Sequence, residues 1–200
     1  ADTSSQVIGV DLGGSSMKLG RFNLEGNLLS GIELQTPQPA TPGAVTIALC
    51  DAIKKIDSNF QATFVGVGLP GPMDAQGRVA RICINFPGWI EVPLAEWLES
   101  RLNRKVTLGN DGNCALVGEA WIGAARGLQD VLLLTLGTGV GGGVLINGKL
   151  FTGHKGAAAE PGLIGLNSEG PVCNSGNRGS LEQYASVGAL KSLFNGDPGE

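Results

Sequence analysis

The sequence has no Cys-x-x-Cys pair: Cys50, Cys83, Cys114 and Cys173 are scattered along the chain. That usage points to a reduced, cytoplasmic protein. It also lacks a basic excess. Fourteen Lys and Arg against 18 Asp and Glu leave a net charge of −4, which gives no electrostatic footprint for nucleic acid. No apolar run reaches membrane-spanning length, and the opening "ADTSSQVIGVDLGG" has neither the basic n-region nor the apolar h-region of a signal peptide. Internal repeats are absent too. What the chain does have is glycine, 33 of its 200 residues, in discrete clusters. Clusters of this kind mark tight turns and close backbone–ligand approaches rather than a collagen-like or low-complexity chain. With 42% hydrophobic and 16% charged residues, the chain is globular and long enough for one large or two small domains.

The first forty residues have the pattern of a strand meander, "QVIGVDL", "SMKLGRFN" and "NLLSGIEL", joined at Gly13-Gly14 and at Glu25-Gly26-Asn27. After the Pro/Thr-rich loop "TPQPATPG", Val45, Leu49, Ala52, Ile53 and Ile56 fall at helical spacing and predict a helix over about 43–57. "QATFVGVGL" follows as a strand buried on both faces, ended by "PGP". Next come a short strand at 77–84, a helix near 93–103 and the strand "KVTLG". A helix in "NDGNCALVGEAWIGAARG" is expected to end at Gly127, and "DVLLLTL" is expected to be a buried strand. The segment "LEQYASVGALKSLF" predicts one helix. Glycine-rich turns after buried strands at 13–14 and 137–143 echo each other, which predicts two lobes of similar plan. The expected boundary divides 1–110 from 111–200.

Gly137, Gly139 and Gly142 fit the G-x-G-x-x-G string of a dinucleotide-binding unit, which would make the chain a nicotinamide-dependent dehydrogenase. That motif needs a helix directly after the turn, to receive the pyrophosphate on its N-terminus. Here "GGGVLINGKLF" follows, with β-branched residues and an Asn147-Gly148 type I′ signal, so the glycines belong to a hairpin. Such a turn can still hold phosphate through convergent backbone N–H groups, and five glycines around Thr138 exceed what a bare turn needs. "VDLGGSSMKLG" makes the same offer: Asp11 ends a buried strand, Gly13-Gly14 lets the backbone close on a ligand, and Ser15, Ser16 and Lys18 can address oxygens. An aspartate at a helix head, such as Asp111, is by itself most often an N-cap.

Taken together, "DLGGSSMKLG", "GLPGPMDAQG", "NFPGW", "NDGNCALVGE" and "LGTGVGGG" resemble the ROK family of sugar kinases and regulators, especially its glucokinases, from residue 7 to about 186. The resemblance implies an α/β, two-lobed ribonuclease H-like (actin-like ATPase) fold with mixed sheets and flanking helices. It also implies a cytoplasmic hexokinase, most closely a glucokinase, that moves a phosphoryl group from ATP or polyphosphate to a hexose 6-hydroxyl, with Mg²⁺ and a homodimeric assembly. By position, Asp11, Gly13 and Gly14 match the first phosphate hairpin, with Asp11 near Mg²⁺ or its waters. Gly137, Thr138, Gly139 and Gly141 match the second. Asn110 and Asp111 match the family's Asn-Asp pair, in which the aspartate is the general base, and Asn85 matches a sugar-binding asparagine. Beside it, Trp89 is expected to pack rather than to stack on sugar.

The family's Glu-x-Gly-His run appears here as "EPGL", which keeps Glu160 but has Leu163 in place of histidine; His154, the only histidine, lies nine residues earlier. The zinc loop C-x-C-G-x-x-G-C-x-E appears as "CNSGNRGSLE", with Ser175 and Ser180 in place of two cysteines. One thiol and two hydroxyls do not make a zinc site, so no structural zinc is expected and hydrogen bonds must hold the loop. Glu160 and Glu182 remain acceptors for sugar hydroxyls. The family's adenosine-binding segment is expected to lie beyond this chain. A non-catalytic sugar-sensing protein is the alternative, against which stand the intact Asp111 and the start of the chain at its first strand.

Overall fold

The computed structural model describes residues 5–83, 86–173 and 175–194. They divide into two compact units, one running to Cys114 with His154–Ala157, the other comprising Ala115–Gly153 and the chain from Ala158.

In the first unit, β1 (Gln6–Leu12), β2 (Ser16–Asn23) and β3 (Leu28–Gln35) form the expected antiparallel meander. Helix α1 (Pro42–Ile56) follows, then β4 (Ala62–Leu69), the short pair β5 (Ala80–Ile82) and β6 (Ile90–Val92), α2 (Leu94–Leu102) and β7 (Lys105–Asn110). The main sheet has the order β3-β2-β1-β4-β7, with β1, β4 and β7 parallel. Alternation puts Ile8, Val10 and Leu12 of β1 and Met17 and Leu19 of β2 into the core. α1 starts where Thr41 accepts the Ala44 amide and Pro42 fills the first turn, and it buries Val45, Leu49, Ile53 and Ile56. Fully burying Leu49 or Ile53 contributes about 1.5–3 kcal/mol each. The short strand expected at 77–84 is confined to β5, and its partner β6 was hidden in a segment rich in Pro and Gly. β4 is covered on both faces only in its second half, since Phe64 is exposed.

One carboxylate ties this unit together. Asp57 caps the C-terminus of α1 and is fully buried. Its oxygens accept the Gln61 and Ala62 amides at 2.9 Å each and pair with Arg104 at 2.8 Å and Arg21 at 3.2 Å. Burial alone would raise its pKa. The Ala62 and Gln61 amides, with the Arg104 and Arg21 cations, outweigh that and hold it below the ordinary value.

β7 closes one side of the sheet. Its Val106 amide donates to Glu99 at 2.9 Å, its Val106 carbonyl accepts from Arg78 at 2.7 Å, and its Leu108 amide donates to Gly77 at 2.8 Å. Arg78 and Glu99 also pair with each other, and that cation holds the Glu99 carboxyl at about 2.

Helix α3 (Asp111–Ile122) leads on to the second unit's β8 (Val131–Leu136), β9 (Val140–Ile146) and β10 (Lys149–Leu150), an antiparallel sheet of order β10-β9-β8. A 3-10 turn at Pro161–Leu163, α4 (Glu182–Ala185) and α5 (Val187–Phe194) complete the described elements. Asn147 and Gly148 both have positive φ, 51° and 70°, the type I′ geometry their sequence predicts. Three expectations need correction. α3 stops at Ile122, because Gly123 is a weak helix former and the Glu119 carboxylate captures the Ala124 amide at 2.7 Å. The single C-terminal helix is two, broken at Ser186, whose extended backbone ends α4 and whose hydroxyl accepts the Ala189 amide to start α5. β8 is not buried on both faces: Leu132, Leu134 and Leu136 are exposed, because a continuous apolar run does not reveal which face is covered. Among the described residues, no helix is long and apolar enough to cross a membrane.

Candidate functional site

In the first unit the carboxyl ends of β1, β4 and β7 lie side by side. The register aligns Asp11 with Gly68 and Gly68 with Gly109, so Asp11 and the Asn110-Asp111 pair emerge at the same edge. Strand spacing puts β1 and β7 roughly 10 Å apart, with β4 between them. This end of a parallel sheet is where ligands bind in open α/β folds.

The first glycine turn is built from behind. Gly13 donates its amide to Ser16 O at 2.9 Å, while its carbonyl accepts the buried Thr36 hydroxyl at 2.6 Å. Gln38 donates to Gly14 O at 3.1 Å, and the Thr36 amide donates to Ser15 O at 3.0 Å. Three successive carbonyls are thereby engaged by residues 36–38, and Lys18 stands opposite Asp11 across the β1–β2 ladder. Sequence reasoning missed Thr36 and Gln38. Their polar side chains in a proline-rich loop were the only signal.

At the head of α3, the capping role falls to Asn110 rather than Asp111. Asn110 accepts the Asn113 amide at 3.1 Å and donates to Gly71 O at 3.3 Å. Asp111 accepts only the adjacent Gly112 amide, at 2.8 Å, among the side-chain bonds described. Asp111 is an exposed residue whose carboxyl is nevertheless partly crowded by the surrounding protein. The crowding raises its pKa above the ordinary aspartate value, the Gly112 amide opposes this, and the charge of Asp11 adds to the rise. Two thiols register the same field. Burial, with Asp111, pushes Cys83 up to about 12, and crowding, with Asp111 and Asp11, pushes Cys114 to about 11. Cys114 lies against Gly68 and Gly109, where a Cβ would meet its sulfur at 3.5 and 2.6 Å.

Among the described residues no cluster of three or more His, Cys, Asp or Glu is arranged to hold a metal. Asp11, at the carboxyl end of β1, is nevertheless a carboxylate of the kind that suits Mg²⁺, which takes one or two carboxylates and completes its shell with waters and phosphates. Asn85 lies outside the described residues. Trp89 is 1% exposed, donates to Ala40 O at 2.7 Å and packs against Phe86, so its ring belongs to the core.

In the second unit the glycine turn spans the β8–β9 connection, with Thr138 exposed at its tip. Gly137 donates to Gly139 O at 2.9 Å. Gly141 and Gly142 belong to β9, opposite Thr135 and Leu134. A Cβ on Gly142 would overlap Leu133 O and meet Pro161 at 2.8 Å. Gly142→Ala is therefore expected to push the 3-10 turn off the sheet and destabilise the protein by about 1–3 kcal/mol, read as a lowered Tm. Strand β9 follows the turn directly, so the helix a dinucleotide-binding motif requires is not there. This removes the dehydrogenase alternative.

Glu160 immediately precedes the 3-10 turn, and Glu182 opens α4. Backbone hydrogen bonds run through the loop between them. Leu166 and Asn167 donate to Gly179 O, Gly179 donates to Pro171 O, and Leu181 donates to Ile164 O. The Ser175 hydroxyl and amide, with a smaller effect from Ser180, hold the buried Cys173 thiol below the ordinary cysteine value. One thiol and two hydroxyls remain a poor donor set for zinc.

A mixed α/β chain with two glycine turns after strands, one beside a carboxylate pair, has the organisation of the actin-like ATPase fold class. The chain belongs to the ROK family, whose profile matches residues 7–199. It is 39% identical over 189 residues to a glucokinase of Thermotoga maritima, covering 94% of this chain and 60% of that protein. The solved ROK family glucokinase of Streptomyces griseus, in complex with glucose and AMPPNP, superposes with a TM-score of 0.83 at 37% identity, over 94% of this chain and 59% of that one. A xylose repressor of Caldicellulosiruptor bescii is 35% identical over 130 residues, 65% of this chain and 32% of the repressor. The chain thus spans about three fifths of the length of the glucokinases it matches.

Proposed function

We propose that this chain carries the sugar and phosphate sites of a glucokinase-type hexokinase, which transfers a phosphoryl group from ATP or polyphosphate to the 6-hydroxyl of glucose. The observation that carries this reading is Asp111: a carboxylate released from helix capping by Asn110, at the carboxyl edge of a parallel sheet, with its pKa raised toward that of a working base. In the reaction the sugar oxygen attacks the terminal phosphorus, its hydroxyl proton passes to Asp111, and the bond to the departing phosphate breaks. Asn110, with Asn85, Glu160 and Glu182, orients the sugar through its hydroxyls. The turn at Gly13, Gly14 and Ser15, with Lys18, and the turn at Gly137, Thr138, Gly139 and Gly141 take the donor's phosphates. Asp11 is the residue to hold Mg²⁺ through water; the bound ion supplies charge neutralisation on the phosphates.

The test is a panel of hexoses incubated with the chain, Mg²⁺ and either ATP or polyphosphate, with sugar phosphate measured directly. Glucose-dependent turnover with one of the donors is the expected result. No sugar-dependent turnover with either donor would overturn it. The likeness to a xylose repressor supports a second reading, a sugar-sensing protein without catalysis. Saturable sugar binding with no phosphorylation would favour that.

A further inference from the structure

The second glycine turn is closed at its base by the β8–β9 ladder, in which Leu136 pairs with Val140. Beyond the ladder and the Gly137–Gly139 contact, two bonds reach it from residues more than forty positions away. Val187, the first residue of α5, donates its amide to Gly137 O at 2.9 Å. At the other end Val140 donates its amide to Glu182 Oε2 at 3.0 Å. The same carboxylate lies so close over Gly139 that a Cβ there would overlap it, and a Cβ on Gly162 would overlap the Val140 carbonyl. Glu182 is itself fixed, because Leu181 donates to Ile164 O at 2.9 Å and Ser180 bridges Gly165.

Glycine loses more conformational freedom on ordering than any other residue. A turn with glycine at 137 and 139 therefore keeps freedom that the ladder at its base does not remove, unless something outside it selects one shape. A carboxylate accepting a backbone N–H is a strong tie, about twice a neutral hydrogen bond.

We infer that Glu182 is a positioning residue for the phosphate-binding turn. It holds the Gly137–Val140 backbone in its receptive shape, so that affinity for the phosphoryl donor depends on Glu182 even when no sugar is present. The donor part of this inference rests on the kinase reading above. This role is additional to the sugar contact proposed above, and binding without sugar separates the two, because a sugar contact leaves donor affinity unchanged when no sugar is present. It also accounts for Gly139 by the carboxylate that crosses it.

Two measurements on Glu182→Ala and Glu182→Gln test it, both without sugar. The first is amide hydrogen exchange. Val140 is expected to exchange about 10–100-fold faster in Glu182→Ala and near the parent rate in Glu182→Gln, whose amide oxygen still accepts the bond. The second is equilibrium binding of AMPPNP with Mg²⁺, or of inorganic polyphosphate, expected to weaken about 10–100-fold in Glu182→Ala and to recover in Glu182→Gln. Unchanged exchange at Val140 in Glu182→Ala would overturn the inference, as would donor binding equal to the parent's. Protection lost throughout the second unit would overturn it too, by making Glu182 a determinant of the fold rather than of the turn. If the unsubstituted chain binds neither probe, the kinase reading fails, while the exchange result still decides the tie between Glu182 and the turn.

Discussion

Asp111→Asn is expected to lower kcat about 10²–10⁴-fold, the range a positioned general base supplies, while leaving the Tm of the chain in place. The two halves of that expectation have separate causes. The rate falls because an amide cannot take the sugar's hydroxyl proton. The fold persists because Asn110 caps α3 and the bond that Asp111 accepts from the Gly112 amide at 2.8 Å can be kept by the asparagine oxygen. Glucose phosphorylation and a thermal melt on the same sample check both; full activity in the variant would remove Asp111 as the base. The pH profile of the unsubstituted chain carries a related signature. A base must be deprotonated to act, and crowding, followed by the Asp11 charge, raises the Asp111 carboxyl. The acid limb of kcat/KM is therefore expected above the ordinary aspartate pKa of about 3.9, with activity falling as pH drops through the raised value.

The largest effect on stability is expected from Asp57→Asn, at about 3–5 kcal/mol, read from urea unfolding. The change leaves Arg104, with a side chain only 2% exposed, facing a neutral group. It also weakens the acceptor for the Gln61 and Ala62 amides. Against a typical total of about 5–15 kcal/mol, the loss is a large share. A loss within the error of the measurement would show that Arg21 and Arg104 find other partners. The sign with pH follows from the depressed folded-state pKa of Asp57. Its contribution is fully present above the unfolded-state value and is lost as pH falls through the lower folded-state value. The parent is therefore expected to lose stability on acidification in that window, and Asp57→Asn to lose less.

Much of the first unit was legible because its signals are local. Alternating apolar residues with Gly-Gly and Glu-Gly-Asn turns define the β1–β3 meander, and a 3.6-residue stripe with Thr41 and Pro42 ahead of it defines α1. Asn147-Gly148 marked its own turn type. The rest depends on groups distant in sequence. Nothing near Gly13 announces that Thr36 and Gln38 hold its turn, and nothing near Val140 announces a carboxylate at position 182. The exchange of roles at the head of α3 was equally hidden, since Asn and Asp are both good caps and only the fold decides which one is used. Leu132, Leu134 and Leu136 show the limit of composition: an apolar run identifies a strand without saying what covers it.

The dressing of β7 has a consequence for the protein among its neighbours. A terminal strand with bare amides and carbonyls is a template on which another chain can add a strand. Here the outward Val106 amide and carbonyl and the Leu108 amide are occupied by Glu99, Arg78 and Gly77. The guanidinium–carboxylate pair thus works as a selvedge, finishing the woven edge so that the sheet does not lengthen by recruitment. A substitution there need not alter any ligand site to be harmful, since its first symptom would be molecules joining through an edge that had been closed.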